Sequence, residues 1–177
     1  MEEDLKQESV YHVVLIDKRF NPDDMAPLLL GLTKLRENVF CSVFAYVMIP
    51  GSIHLVIKEK EKNVVGCIEY LHDCCYGDTD FKYAMEEITN SDRFLEIFAH
   101  LAQIPVNEGL VDTPGEYGYG SWVNDYIGMC SINVCQRLIV LRRFGFDVLY
   151  DWVNNGVFDD IAFVEHSIPR TQSVVLS

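Results

Sequence analysis

Basic charge is what this sequence most lacks. Its 14 lysines and arginines face 27 aspartates and glutamates, for a formal net charge of −13. Proteins that hold DNA draw much of their affinity from cations on phosphates. A nucleic-acid face here therefore requires a local basic stripe that defies the global sign. The candidate positions are Lys18 and Arg19, Lys34 and Arg36, the run Lys58, Lys60 and Lys62, and Arg142 with Arg143. The ordinary reading of each is a solvated strand edge or helix face. Metal-ligand spacing is missing too. The six cysteines are Cys41, Cys67, Cys74, Cys75, Cys130 and Cys135, and none forms a CxxC pair. That excludes the common zinc modules and leaves free thiols, some of them buried. No apolar run approaches the roughly 18 residues of a membrane span. The opening MEEDLKQES has neither the basic start nor the apolar core of a signal peptide. The expectation is a cytoplasmic protein with no membrane partner.

Apolar residues are plentiful. They make up 49% of the 177 positions, with 23% charged, enough for a packed core. The YHVVLI run at 11–16 reads as a buried strand. Asn21-Pro22-Asp23-Asp24 signals a turn and a helix start. The helix runs to about Glu37, with Leu28, Leu29, Leu32 and Leu35 at helical spacing. Residues 40–49 and 53–59 form two strands joined by a tight turn at Pro50-Gly51. Strand alternation groups Val43, Ala45 and Val47 on one face, and Ile53, Leu55 and Ile57 on another. Asn63 is placed to cap a helix over 64–75. A fourth strand is expected within 79–88, then a helix capped by Ser91 and ended near Gln103 by Ile104-Pro105. Ser121–Ile127 reads as a short helix. Residues 131–143 and 147–154 read as a helix pair split at Gly145, and 165–177 as a loose tail.

The order strand, helix, strand, strand, helix, strand predicts an α+β fold. It is a ferredoxin-like antiparallel sheet with helices on one face plus a C-terminal helical extension. The expected division is 1–128 for the sheet domain and 129–177 for the extension and tail packed on it.

Three stretches carry a more specific signal. The first is Y-H-V-V-L-I at Tyr11–Ile16. The second is A-Y-V-M-I-P-G-S-I-H-L-V-I at Ala45–Ile57. The third is H-L-A-Q-I-P-V-N-E-G-L-V at His100–Val111, followed by E-Y-G-Y-G-S-W-V-N-D-Y-I-G at Glu116–Gly128. Together, over roughly residues 10–150, they resemble the REP-associated tyrosine transposases within the HUH single-tyrosine family. The matching family segments read like A-Y-x-x-M-P-N-H-V-H-L-L, Y-I-H-L-N-P-V-R-A-G-L-V and Y-P-W-S-S-Y-x-x-Y-L-G.

The resemblance implies single-stranded or hairpin DNA as partner and an Mg²⁺ or Mn²⁺ ion as cofactor. In such enzymes two histidines flank one apolar residue on the hairpin's second strand and hold the ion, which polarises a phosphate. A tyrosine then attacks and becomes joined to DNA. Here the triplet is Ser52-Ile53-His54: His54 is the surviving metal candidate and Ser52 a degenerate position, since a hydroxyl is a far poorer ligand than imidazole. Tyr76, at the end of the 64–75 helix, is the nucleophile candidate. Asp80 follows as a completing metal ligand. Glu69 and His72 precede Tyr76 by seven and four residues, which suggests one helix face and an acid–base cluster. The family's DNA-handling hairpin after the tyrosine is missing, and its Arg in the third motif is Asn107 here.

These departures predict a transposase-like protein with impaired single-strand nicking and strand transfer. The alternative is a domesticated, non-catalytic interaction module. Tyr117, Tyr119, Trp122 and Tyr126 are able to stack unpaired bases, although core packing is their ordinary role. Phe144, Phe146, Tyr150, Trp152 and Phe158 suit a core or a homodimer surface.

Overall fold

The computed structural model describes residues 9–37, 41–60, 64–76, 81–128, 134–156 and 165–168. Its centre is β1 (Val10–Ile16), flanked by an antiparallel strand on each side. β2 (Cys41–Ile49) and β3 (Ser52–Glu59) form the expected hairpin. Gly51 in its turn has φ 86°, a conformation that glycine adopts without a Cβ clash. β4 (Phe81–Ile88) pairs with the free side of β1. The tail supplies a fifth strand, β5 (Glu165–Ile168), antiparallel to β4. The sheet order is therefore β2-β3-β1-β4-β5, a ferredoxin-like α+β arrangement with one strand added.

Register assigns each side chain to a face. Leu15 pairs with Ile53, Val13 with Leu55 and Tyr11 with Ile57, so these odd-numbered residues share one face. That face carries α1 (Met25–Glu37) and α2 (Val64–Tyr76). α2 is tied there at both ends. The Val64 N–H donates to the Glu59 carboxylate at 3.3 Å, and His72 Nε2 lies 3.5 Å from Asp17 Oδ2. Leu28, Leu32, Leu35, Ile68 and Leu71 are buried with the strand residues. The opposite face, with His12, Val14, His54 and Val56, is covered by α3 (Ser91–Asn107). The segment beyond the ferredoxin-like unit thus folds back over the sheet's second face.

Several local expectations are corrected. Val43 does not share a face with Ala45 and Val47, because the ladder slips between Val43 and Ala45. Val43 opposes Ile57 while Ala45 opposes Val56, the mark of a bulge at Phe44. α3 is capped by Asn90, whose side chain accepts the Arg93 N–H at 2.8 Å; Ser91 is its first residue. α3 also runs through Pro105 to Asn107. The proline sits in the last turn, where only one intrahelical bond is forfeited, and it is buried. Residues 165–168 are strand rather than loose tail; 169–177 and Asn63 lie outside the described residues. Trp122–Ile127 is a short π-helical stretch. α4 (Arg137–Phe144) and α5 (Phe146–Asn155) are split at Gly145, as expected, with φ 81° there. Of the stretch expected as the first of this pair, 131–133 lies outside the described residues, and Val134–Gln136 precede the helix. Gln103 of α3 donates to the Val153 carbonyl of α5.

The edge strand β2 is sealed by the segment after α3. Met48 N–H donates to Tyr119 O at 3.0 Å, and Tyr46 N–H to Ser121 Oγ at 3.0 Å. The Tyr117 and Tyr126 hydroxyls donate to Met48 O and Phe44 O, each at 2.6 Å. A Cβ at Gly120 would lie 3.2 Å from the Val47 side chain, so glycine permits this close approach. Backbone groups that would otherwise template pairing with another chain are thereby used internally.

Candidate functional site, a histidine cluster between the sheet and α3

Three histidines far apart in sequence meet on the α3 face. His12 comes from β1, His54 from β3 and His100 from α3. Val14 pairs with His54 and His12 with Val56, so His12 and His54 are diagonal neighbours on one face. Their ring centroids are 5.6 Å apart; His100 lies 6.4 Å from His12 and 6.5 Å from His54. His12 Nε2 is 3.4 Å from His54 Nδ1, and Ser52 Oγ is 3.3 Å from His54 Nε2. Both nitrogens of His54 are thus engaged, forming a chain from Ser52 through His54 to His12.

Burial sets the charge of this chain. His12 is fully buried. Loss of solvent pushes its pKa well below the ordinary imidazole value, and neighbouring His54 and His100 push the same way. His54 is lowered to about 3, by burial first and His100 second. Both rings are neutral near pH 7.

The donors do not suit the ion that the resemblance implies. Magnesium and manganese favour oxygen ligands, and the histidine pair that the resemblance implies for holding them is reduced here to His54 beside Ser52. The cluster offers imidazoles and one hydroxyl, and His54 already spends both nitrogens on neighbours. Among the described residues, no group of three or more His, Cys, Asp or Glu is arranged to hold a metal ion.

The other sequence candidates lie elsewhere. Sequence reading joined Tyr76 to His54 in one site, whereas in the fold the sheet runs between them. α2, which ends at Tyr76, packs on the far face, because strand alternation turns His54 toward α3. The Tyr76 side chain and all of Asp80 lie outside the described residues. Glu69 and His72 do not share an environment. Glu69 is exposed, while His72 is buried. Three helical residues separate side chains by about 60°, and the border of the apolar stripe falls between these two. Burial lowers the His72 pKa, and Asp17 opposes that shift. Asp17 is itself held below its usual value, chiefly by the Arg19 side chain at 2.8 Å.

His12 and His100 escaped the sequence reading. The signal was present: each is a polar residue inside an apolar run, HVVLI and FAHLA. Their convergence is a long-range property of the sheet and α3 together.

Several basic side chains are already paired. Arg93 grips Glu86 at 2.7 Å and Glu96 at 3.0 Å, and Arg137 donates to the Asp125 carbonyl at 2.8 Å. Arg143 bonds Ser91 Oγ at 2.8 Å.

Comparison with protein families and with curated proteins gave no match. Among solved structures, a REP-associated tyrosine transposase bound to a REP hairpin is similar in fold. Its TM-score is 0.54 at 14% identity, over 67% of this chain and 78% of that one. The likeness is one of fold. No helix among the described residues is long and apolar enough to cross a membrane.

Proposed function

We propose that this chain is a non-cleaving relative of the single-strand DNA transposases, one that keeps the scaffold for hairpin or single-stranded DNA without the strand-transfer chemistry. The observation that carries this reading is the residue α3 sets against His54. It is His100: α3 contains no tyrosine, and α2, which ends at the nucleophile candidate Tyr76, packs on the other face of the sheet. The family segment matching His100–Val111 opens on tyrosine at that position. A neutral, mutually bonded Ser52–His54–His12 chain supports the same reading, since neighbours engage both nitrogens of His54. DNA as the ligand rests on fold likeness to a transposase solved with a hairpin.

The test is fluorescence anisotropy with labelled hairpin and linear single strands at low and moderate salt. The reading predicts saturable hairpin binding that weakens steeply with salt. Absence of binding at low salt, where attraction is least screened, overturns it.

A second reading, a protein-interaction module that self-associates, is favoured by exposed apolar side chains on α4 and α5. Leu138, Ile139, Phe146, Val148 and Tyr150 on α4 and α5 are all exposed, from 41% to 60%. Sedimentation equilibrium distinguishes it. A dimer dispersed by Tyr150→Glu supports this module, and a monomer at all concentrations removes the homodimer.

A further inference from the structure

A cavity of about 400 Å³ opens on the α3 face, at the other end of α3 from Pro105. Its size falls within the roughly 300–1,000 Å³ span of small-molecule sites. The walls come from Val10 at the start of β1, Phe44 of β2, the end of β4 with the connection at 89–90, the first turn of α3 and one side of α4. Phe94 of α3 and Phe144 of α4 stack at 5.1 Å and 10°, and Phe44 meets Phe94 edge-on at 6.1 Å. The Arg143 guanidinium lies 5.7 Å over the Phe144 ring, and its Nη2 bonds Ser91 Oγ at 2.8 Å. One aromatic wall, one cation and one hydroxyl thus border a single space. Glu87, near the end of β4, pairs with Tyr11 and so turns its carboxylate to the other face of the sheet, where it accepts from the Ser9 hydroxyl at 2.7 Å.

From this arrangement we infer that the cavity receives a single nucleotide unit, its base against the phenylalanine wall and its phosphate at Arg143 and Ser91. The phenylalanines are stacked on one another, and a planar base packs against the edges of such a cluster regardless of sequence. A phosphate matches the guanidinium fork, and the Ser91 hydroxyl accepts from Arg143 while keeping its proton to donate. The positive end of the α3 dipole, which begins at Ser91, adds to the same attraction. Arg143 and Ser91 stand together at one side of the cavity, which fixes the orientation: anion toward Arg143, base toward the interior. The cavity and the histidine cluster share one sheet face and one helix, His100 lying about 9 Å further along α3 than Phe94.

The inference deepens the DNA-binding reading and rests on it for the source of the nucleotide, which is either free or an unpaired residue of a strand. The experiment uses the full chain. Calorimetry measures the four deoxynucleoside monophosphates, and anisotropy measures a hairpin with an unpaired 5′ overhang. The variants are Arg143→Gln, Ile139→Trp at the cavity mouth, and Arg142→Gln as a neighbouring cation outside the lining. Thermal melts establish that each variant folds. The expected result is about tenfold weaker binding for Arg143→Gln and Ile139→Trp, and less than about twofold for Arg142→Gln. Hairpin binding that ignores both cavity variants, or falls equally for the two arginines, overturns the cavity while leaving DNA binding standing. Monophosphates bound in the cavity with no hairpin binding uphold the cavity and overturn the DNA reading. No binding of either probe overturns both.

Discussion

The two faces of the sheet are cut from the same strands, yet they obey different rules. The α2 face takes Val13, Leu15, Ile53, Leu55 and Ile57, all nearly or wholly inaccessible, against the leucines and isoleucine of α1 and α2. The α3 face takes the alternate residues, and there the strands offer His12, Ser52 and His54 to a helix that answers with His100. One face is an apolar core that any βαββαβ unit requires. The other buries neutral imidazoles in a hydrogen-bonded chain, which costs stability in acid and constrains geometry. Functional evidence in this molecule therefore concentrates on the second face, although the tyrosine singled out in the sequence belongs to the helix on the first.

The largest expected effect tests the core side of this contrast. Leu55→Ala removes a fully buried side chain from the α2 face and is expected to cost about 3 kcal/mol by urea unfolding. A cost under about 1 kcal/mol would mean that this face is not the close-packed one.

Next comes acid. Burial holds His12, His54 and His72 below the ordinary imidazole value of 6.5. Below that pH the unfolded chain binds more protons than the folded one. Stability is therefore full above about pH 6.5 and is lost as pH falls toward the folded value, about 3 for His54. At pH 5 His54 alone accounts for about 2 kcal/mol. Urea titrations at pH 8 and pH 5 should differ by at least that amount, and His54→Gln should close about 2 kcal/mol of the gap. A gap unchanged in the variant removes His54 from the acid-sensitive set.

Smaller still is the seal on β2. Tyr126→Phe deletes the buried hydroxyl bonded to Phe44 O and should cost about 1 kcal/mol. A neutral result would show that the segment after α3 holds the edge strand without that bond. The smallest effect belongs to Glu69→Gln, on the exposed side of α2, expected within about 0.5 kcal/mol.

Much of the fold was legible because its signals are local. The Pro50-Gly51 turn, the leucine spacing of α1 and the split at Gly145 each announce themselves within a few residues. The bulge at Phe44 has no such mark, so alternation was carried one residue too far. Pro105 reads as a helix stop, yet the last turn of α3 tolerates it. β5 is four residues in a polar tail, and only the open edge of β4 makes it a strand. For the site, His54 was legible through its motif. His12 and His100 were not, because β1, β3 and α3 bring them together across 88 positions, from 12 to 100. Tyr76 follows as a candidate from distance along the chain, and chain distance does not report which face a helix covers.

The most direct test of the non-cleaving reading incubates the protein with a labelled hairpin oligonucleotide and Mn²⁺, then resolves the products on native and denaturing gels. The account predicts a retarded complex on the native gel and no protein–DNA adduct on the denaturing one. A denaturation-stable adduct that disappears in Tyr76→Phe would contradict it, restoring Tyr76 as a working nucleophile.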